Sequence, residues 1–291
     1  REALDFRGKA ITVRSAQPAD SACVAATRIL APDAGEIPAP AVSFLRGETP
    51  QACLDGITVA CPRARAIAIE GASPTLRRCH IRDSGTGVAI FAPLDSATGL
   101  FRDTRPRLEH CLLTDNQRGL TASFAGFQLD FVTIARNGCG IAANGAPAGP
   151  CHAAITHAIF WENGSPETPA DLRLFGTATV DLSWSCHDPD AASVEAPAQL
   201  RCGDGTLLAN PLFADPANGD FHLRSLAGRW QPTAGSWHCD PQHSPCIDAG
   251  NPETPCDLET APHGSRPNLG AYGATPEASR SLPETPLIRL S

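Results

Sequence analysis

The feature that most constrains this chain is a short apolar motif that recurs along it. Six copies align without gaps, and their central residues are Ile57, Cys79, Cys111, Val132, Ala158 and Ser183. Successive central residues stand 21 to 32 residues apart. Self-similarity at a period of roughly 20 to 50 residues is typical of solenoids, in which each copy contributes one turn. The repeat therefore predicts a solenoid rather than a compact globule.

The positions after each copy predict how a turn closes. Five residues beyond the central position come Ser84, Asn116, Asn137 and Asn163. Eight residues beyond it come Gly87, Gly119 and Gly140, each followed by a short run of β-type residues. Glycine adopts positive φ and asparagine bonds its own backbone, so both residue types suit corners. Each turn is therefore predicted to run strand, corner, strand, corner.

Stacked turns predict both the interior and the fold class. Turns about 4.8 Å apart pair their backbone groups and pile equivalent side chains into interior columns. The five central residues from Cys79 to Ser183 are predicted to share one such column, with an insertion over Phe91 to Arg107. The 27 prolines and 25 glycines, with no persistent helical stripe, argue against helix. The predicted fold is all-β.

Phrases near both ends resemble a known group of proteins. They are Gly8-Lys-Ala-Ile11-Thr-Val13, Pro211-Leu-Phe213, Ser244-Pro-Cys246-Ile-Asp248 and Arg266-Pro-Asn268-Leu-Gly270-Ala-Tyr272-Gly273. With the repeats, they are similar to bacterial secreted and cell-surface proteins of the pectate-lyase-like superfamily, including the polymorphic outer-membrane type. The resemblance implies a right-handed parallel β-helix over residues 1–224, with a loop-rich, cysteine-containing C-terminal cap and extended tail over residues 225–291. It also implies an extracellular or cell-surface location, but no single activity, because the superfamily contains lyases, hydrolases, adhesins and structural proteins.

Charge and hydropathy narrow the possible partners. The chain has 23 basic and 31 acidic residues, a formal net charge of −8. Nucleic-acid binding depends on phosphate neutralisation, so DNA and RNA are not expected partners. No stretch approaches the roughly 20 consecutive apolar residues that cross a bilayer. The opening at Arg1, without a signal-type segment, is expected of a mature or trimmed product.

Twelve cysteines, an even number, indicate an oxidising compartment. The candidate disulfides near loops are Cys139 with Cys151, Cys186 with Cys202, and pairs among Cys239, Cys246 and Cys256. Buried free thiols are the alternative, particularly for Cys79 and Cys111, because cysteine packs as a small hydrophobe.

The two ends of the chain suggest self-association. The related proteins usually carry a segment before the equivalent of Leu4-Asp-Phe6 that starts the first turn. Without that segment the first turn exposes strand edges, which can pair with another copy end to end. The apolar tail over residues 286–291 could cover such an edge by strand addition. Alternatively, it lies back on its own subunit.

One carboxylate pair is a candidate catalytic site. Asp83 and Asp115 occupy equivalent places four residues beyond Cys79 and Cys111, so their carboxylates could face each other across adjacent turns. The resemblance implies that such a pair could bind Ca²⁺ or act as an acid/base couple in a lyase. A lyase also needs a basic residue, and the candidates are Arg82, Arg107 and Arg136. The column continues with Arg136 and Glu162, so a solvated ion-pair ladder is the alternative.

A second column is a candidate sugar-binding groove. His110 and His157 come directly before the central residues, with Phe131 between them. Two turns of separation, about 10 Å, is too far for the two imidazoles to share a metal. The preceding column is predicted to contain Arg77, Glu109, Asp130 and Asp181. Solvation of a strand face is the alternative to ligand binding.

The loop-rich C-terminal part offers a candidate calcium site. Asp248, Asp257, Glu259 and Asn268 carry oxygen ligands near Cys246 and Cys256. Ca²⁺ prefers such ligands, although no EF-hand spacing supports the site. These side chains could instead form turns and caps.

Two functions follow from these observations. The first is a non-catalytic extracellular scaffold, on the surface or in filaments, that contacts glycans along its faces. The second is a polysaccharide lyase or glycoside hydrolase acting on an acidic polysaccharide. Neither requires a cofactor, and Ca²⁺ is the one candidate ion. The absence of a convincing catalytic cluster favours the scaffold.

Overall fold

Three parallel sheets wind around one apolar interior. The computed structural model describes residues 3–31 and 39–283. Along the chain, strands of sheets A, B and C alternate, and each pairs in parallel with the equivalent strand of the next turn. This arrangement is a parallel β-helix, as the sequence predicts; we call it the coil.

The coil strands are short, and most sheet B and sheet C strands span three residues. Sheet A contains β1 (Leu4–Asp5), β4 (Val42–Phe44), β7 (Arg65–Glu70), β10 (Thr86–Phe91), β15 (Arg118–Ser123), β18 (Ile141–Gly145), β23 (Leu172–Gly176) and β25 (Ala192–Val194). Sheet B contains β2 (Thr12–Arg14), β5 (Cys53–Asp55), β8 (Thr75–Arg77), β13 (Arg107–Glu109), β16 (Phe127–Asp130), β19 (His152–Thr156), β24 (Thr179–Ser183) and β26 (Gln199–Cys202). Sheet C contains β3 (Arg28–Leu30), β6 (Thr58–Ala60), β9 (His80–Arg82), β14 (Leu112–Thr114), β17 (Thr133–Ala135) and β20 (Ile159–Trp161).

Outside the coil, the described residues form hairpins and brief helical segments. The hairpins pair β11 (Leu94–Asp95) with β12 (Leu100–Phe101), β21 (Gly164–Ser165) with β22 (Thr168–Pro169), β27 (Phe213–Asp215) with β28 (Asp220–Leu223), and β29 (Arg229–Gln231) with β30 (Ser236–His238). The helical segments are α1 (Ser21–Ala26) and 3₁₀ turns at Pro189–Ala191 and Pro216–Asn218. The β11–β12 hairpin lies in the predicted insertion, and the prediction of little helix is confirmed.

The predicted interior column exists, with one correction. Ile57, Cys79, Cys111, Val132 and Ala158 directly precede strands that pair in register, and all five are buried.

The last member of the column is Ser185 rather than Ser183. Ile155 pairs with Leu182, so the final copy is displaced by two residues from the predicted alignment. Ser185 is fully buried, and its hydroxyl accepts a hydrogen bond from the backbone N–H of Ala158 at 3.0 Å. Side chains alternate faces with a period of two, so a two-residue displacement keeps Val180 and Leu182 pointing inward. The apolar pattern alone therefore could not detect it.

The polar residues at the corner between sheet C and sheet A form a buried ladder. The side chain of Asn137 accepts from the backbone N–H of Asn116 at 3.0 Å and donates to Leu113 O at 2.9 Å. Asn163 repeats the pattern one turn on, accepting from the N–H of Asn137 at 3.1 Å. These amides therefore link successive turns, and Asn137 also makes the predicted local bond, to Ala135 O at 3.1 Å.

The glycines beside this ladder have a different role from the predicted one. Gly87, Gly119 and Gly140 do not have positive φ. A Cβ atom on Gly119 would lie 2.7 Å from the carbonyl oxygen of Gly140 on the next turn. Close backbone stacking, rather than an unusual dihedral angle, therefore requires glycine here.

Where one strand bends into the next, positive φ falls on Gly56 in an early turn and on single residues with side chains in the later turns. Between sheets B and C these are Arg78, His110, Phe131, His157 and Trp184, with φ between 46° and 54°. After sheet C they are Asp83, Asp115, Arg136 and Glu162, with φ between 49° and 59°. Such residues are uncommon in this region, so each corner stores some backbone strain.

The C-terminal region packs along the side of the coil rather than over its end. Leu112, Ala135 and Ile159 point outward from sheet C and are buried against a second apolar cluster that includes Phe221 and Leu269. The parallel strands end at Cys202, before the predicted boundary at residue 224. The region is loop-rich, as predicted, and it covers the outer face of sheet C. The proposed edge-covering tail over residues 286–291 lies outside the described residues.

All twelve cysteines carry free thiols in this structure, so none of the predicted disulfide pairs is seen in it. Cys139 precedes β18 and Cys151 follows it, so a five-residue strand, about 17 Å long, separates them. Cys186 is buried beside sheet C, whereas Cys202 is exposed at the end of sheet B. Spacing along the chain therefore did not predict proximity. Cys79 and Cys111 are buried thiols, the alternative that the sequence left open.

No helix among the described residues has both the length and the apolar character needed to span a membrane.

Candidate binding cleft

A cleft of about 860 Å³ lies between the coil, α1 and the C-terminal region. The coil contributes the corner between sheets B and C, where Arg78, His80 and His110 line the cleft. The opposite wall comes from β28 and from the loop that contains Tyr272 and Glu277. Ligand pockets commonly have volumes of about 300–1,000 Å³, so this cleft is large enough for a small ligand or part of a polymer.

The coil side of the cleft presents imidazoles that are uncharged at neutral pH. Burial is the main cause that lowers the pKa of His80 to about 3, and the charges of Arg82 and Arg28 act in the same direction. His80 Nε2 lies 2.8 Å from the hydroxyl of Thr114, which holds the ring in place. Burial also lowers the pKa of His110.

The opposite wall is built around one buried, charged imidazole. His222 Nδ1 donates to Asp220 at 2.7 Å, and Nε2 donates to Glu277 at 3.2 Å. Burial alone would lower the pKa of His222, but these two carboxylate contacts outweigh it and raise the pKa. Because both ring nitrogens are engaged, this imidazolium holds the wall together and is not free to take a proton.

The same network joins the wall to α1. Asp20 caps α1 by accepting the backbone N–H of Ala22 at 2.9 Å. Glu277 accepts the N–H of Ser21 at 3.0 Å, on the carboxylate oxygen that does not face His222. A residue near the C-terminal end therefore fixes a helix of the first turn, and this contact closes one side of the cleft.

Two of the arginines that line the cleft are compensated by carboxylates, whereas Arg28 donates to a backbone carbonyl. Arg78 Nε donates to Asp55 at 2.9 Å. Arg229 donates to Asp220 at 3.0 Å and to Asp240 at 3.1 Å. The ring of Tyr272 stacks on His222, with centroids 3.6 Å apart. The Tyr272 hydroxyl has no hydrogen-bond partner among the described residues, so it is available to a ligand.

The predicted catalytic carboxylates lie outside this cleft. Asp83 and Asp115 do stack on adjacent turns, as the pairing of Arg82 with Thr114 shows. Each carboxylate is already paired, Asp83 with Arg82 at 2.7 Å and Asp115 with Arg136 at 2.9 Å. This is the geometry of the ion-pair ladder.

Arg107, the other residue predicted to take part in catalysis, lies elsewhere. It is the exposed first residue of β13, at the end of sheet B farther from the sheet C corner. The structure therefore does not bring Arg107 to the Asp83/Asp115 pair.

The predicted histidine column is a continuous stack of rings. Phe131 stacks on His110 at 5.0 Å and on His157 at 4.3 Å between centroids. His157 Nδ1 donates to Asp130 at 2.7 Å, and Nε2 accepts the N–H of Asn251 at 3.2 Å. The C-terminal region therefore contacts His157, while His110 lines the cleft.

The neighbouring polar column holds only part of the predicted set. Glu109 pairs in register with Arg77 and Asp130, and its carboxylate accepts from Arg77 at 3.0 Å. Asp181 pairs with Ala154, so it lies in another column because of the same two-residue displacement. His152 binds Asp181 at 2.7 Å instead.

The residues predicted to bind calcium act mainly as acceptors within loops. Asp248 accepts the N–H of Gly264 at 3.0 Å. One oxygen of Glu259 accepts the N–H groups of Asn268 and Ala274 at 2.8 and 2.7 Å, while the other is buried without a partner. Asp257 is exposed. Over the described ranges, no group of three or more His, Cys, Asp or Glu side chains could hold a metal ion.

Sequence reasoning missed most of the cleft. Arg78 and His80 flank Cys79 in the repeat, so the corner position was a usable signal for them. His222, Tyr272 and Glu277 had no such signal, because their approach to the coil depends on where the C-terminal region docks.

Comparison with known proteins gives one local similarity. A family model described as "Disaggregatase related" matches residues 193–250. This stretch includes Asp220, His222 and Arg229 of the cleft wall. No curated protein and no solved structure shows significant similarity to the chain. The match covers about a fifth of the chain, so the resemblance to the pectate-lyase-like superfamily stays a prediction.

Proposed function

We propose that this protein is an extracellular, non-catalytic β-helix scaffold that binds a glycan in the cleft between the coil and the C-terminal region. The observation that carries the proposal is the cleft itself, with its neutral imidazoles and its available phenol hydroxyl. A scaffold of stacked turns gives such a site a rigid floor, because each turn is bonded to the turns on either side.

The two arginines that are paired with carboxylates favour an uncharged, hydroxyl-rich ligand. Arg78 and Arg229 already bind carboxylates, so a strongly anionic ligand would have to compete with Asp55, Asp220 and Asp240. Sugar hydroxyls both donate and accept hydrogen bonds, as do the phenol of Tyr272 and neutral imidazoles. We therefore expect neutral polysaccharides to bind more tightly than uronate polymers.

Calorimetric titration with neutral glucans and mannans, and with pectate and alginate, tests the proposal. Tyr272→Phe keeps the ring and removes the hydroxyl, so we expect roughly tenfold weaker binding from one lost hydrogen bond. Ala22→Trp places a large side chain on the exposed face of α1 and should reduce affinity further by filling the cleft.

Ala97→Trp is the matched control, since Ala97 is an exposed alanine beside the β11–β12 hairpin, away from the cleft. It should bind like the unmodified protein. Binding that survives Ala22→Trp unchanged, or no binding to any glycan tested, would overturn the assignment.

A lyase is the second candidate, and it has its own supporting observation. His110 follows Arg78 by one turn at the same corner, so a neutral imidazole lies near a guanidinium. A uronate lyase needs a base for the C5 proton and a cation beside the carboxylate, and the leaving oxygen departs as the double bond forms. With pectate or alginate, absorbance by unsaturated products should then rise and should disappear in His110→Ala. Absence of product from the unmodified protein rejects this candidate.

A further inference from the structure

Two buried thiols lie where the coil packs against the C-terminal region. Cys186 lies beside sheet C, in isolated parallel bridges with Ile159 and Leu207. Cys246 lies in the C-terminal region and belongs to the same apolar cluster. Both are almost completely buried in this cluster, at 1% and 0% exposure, and each thiol shifts the pKa of the other. The sequence had paired each of them with other cysteines.

The backbone holds both residues in place. The N–H of Cys186 donates to Ala158 O at 2.8 Å, and its carbonyl accepts from Phe160 at 2.9 Å. Cys246 donates its N–H to the hydroxyl of Ser244 at 3.1 Å, and its carbonyl accepts from Leu269 at 2.9 Å. Two interacting thiols in one buried cluster, on two fixed segments, can reach bonding distance by a small side-chain movement.

We propose that Cys186 and Cys246 form a disulfide that fastens the C-terminal region to the coil when the protein folds in an oxidising compartment. In the first step the Cys186 thiolate attacks a disulfide of a small molecule or oxidoreductase, which gives a mixed disulfide and one released thiolate. The Cys246 thiolate then attacks the Cys186 sulfur and releases the second thiolate. The two protein thiols lose two protons and two electrons, which reduce the oxidant.

The surroundings favour Cys186 as the attacking thiol. Its contact with the S–H of Cys246 lowers the pKa of Cys186, although burial opposes the effect. Burial raises the pKa of other thiols, and that of Cys151 rises to about 12. The bond would close a loop that spans almost all of the stretch similar to the "Disaggregatase related" family.

A second pair of buried thiols, on neighbouring turns of the coil, provides the control. Cys79 and Cys111 stack inside the coil, where Cys79 Sγ donates to Leu54 O at 3.4 Å and Cys111 Sγ to Leu76 O at 3.5 Å. Each thiol donates to a carbonyl of the preceding turn, so these bonds already link successive turns. A disulfide between Cys79 and Cys111 would link two turns that backbone hydrogen bonds already join.

The experiment compares protein refolded from the reduced, denatured state with oxidised and reduced glutathione against protein refolded in a reducing agent. Non-reducing digestion and mass spectrometry should find one peptide pair joined through Cys186 and Cys246. The oxidised protein should have a thermal midpoint about 10 °C above the reduced protein. The double variant C186A/C246A should lose both the cross-link and the redox-dependent shift, whereas C79A/C111A should keep them.

Free thiols at both positions after oxidation, or a cross-link to other cysteines, would overturn the inference. Should refolding fail, the same digestion is applied to protein expressed in the oxidising periplasm and in the reducing cytoplasm of a bacterial host. The cross-link is then expected only in the periplasmic protein. Its absence there counts against the inference as well. The inference is independent of glycan binding, since neither cysteine lines the cleft.

Discussion

At the scale of single residues, burial decides how the side chains behave. Glu259 is 5% exposed, and burial raises its pKa to about 7, although the N–H groups of Asn268 and Ala274 oppose the rise. The folded state therefore binds a proton more tightly than the unfolded chain does. His222 also has a raised pKa, but there the cause is the pair of carboxylates on its nitrogens. Stability should respond to pH through both groups.

The Glu259 carboxyl predicts stability that falls as pH rises. Its ordinary pKa is 4.5, so its favourable contribution is complete below that value and is lost as pH approaches 7. The effect should be on the order of 3 kcal/mol across this window. Chemical denaturation at several pH values, for the unmodified protein and Glu259→Gln, measures it. The difference between the two proteins should change over pH 4.5–7, and a constant difference would contradict the prediction.

A methyl group at Gly119 should destabilise the coil strongly. The added Cβ would meet the backbone oxygen of Gly140 at 2.7 Å, and neither backbone can move without disturbing adjacent turns. We expect Gly119→Ala to lower the unfolding free energy by about 2–4 kcal/mol. Gly203→Ala is the control, because the nearest atom to its Cβ is 3.4 Å away and its φ is not positive. Equal losses in the two variants would refute the stacking explanation.

At the scale of elements, the coil strands are too short to be stable alone. Three-residue strands such as β14 and β17 gain their stability from parallel neighbours and from the interior columns. The asparagine ladder adds a third component, because it satisfies backbone groups at a corner where the sheet pairing stops.

Removal of one amide from the ladder should therefore cost more than a surface change. Asn137→Ala leaves the N–H of Asn116 and the carbonyl of Leu113 without their buried partner. We expect a loss of roughly 3 kcal/mol in unfolding free energy. Asn144→Ala, at an exposed position in β18, should change stability by less than about 0.5 kcal/mol. A thermal or urea titration compares the two variants, and similar losses would show that the ladder is not stabilising.

At the scale of the whole molecule, the coil and the C-terminal region meet along one face. Sheet C is covered by the second apolar cluster, and the Glu277 contact to Ser21 extends this interface to the first turn. The cleft exists because the two parts leave a space beside this interface, at the corner between sheets B and C.

Loss of the Glu277 carboxylate should loosen one edge of this interface without unfolding the coil. Glu277→Ala leaves Ser21 N–H and the His222 ring without their acceptor. Hydrogen–deuterium exchange should become at least tenfold faster in α1, while strands β14 and β17 keep their protection. Unchanged exchange in α1 would mean that Glu277 does not hold the helix.

End-to-end association is the prediction for the molecule as a unit. Within the described residues, β1 and β2 are the first strands of sheets A and B, and β25 and β26 are the last. Each leaves one edge unpaired, so copies could add strand to strand. Sedimentation velocity over a range of concentrations should show growing assemblies that Val194→Pro, at the exposed edge of β25, reduces. A single monomeric species at every concentration would contradict this prediction.

The sequence by itself determined the coil, because a solenoid repeats the same local contacts at every turn. The spacing of Cys79, Cys111, Val132 and Ala158 carried enough information to place four turns in register. It could not detect the two-residue displacement at Ser185, since alternation repeats every two residues.

Only the tertiary structure decided where the C-terminal region lies and which side chains meet. The packing of Cys246 and Cys186 into one cluster, and the contact of Glu277 with Ser21, join distant parts of the chain and do not repeat. No period in the sequence encodes such contacts, because they depend on the shape of two surfaces after each has formed. The cleft was therefore beyond sequence reasoning, although the coil that forms its floor was not.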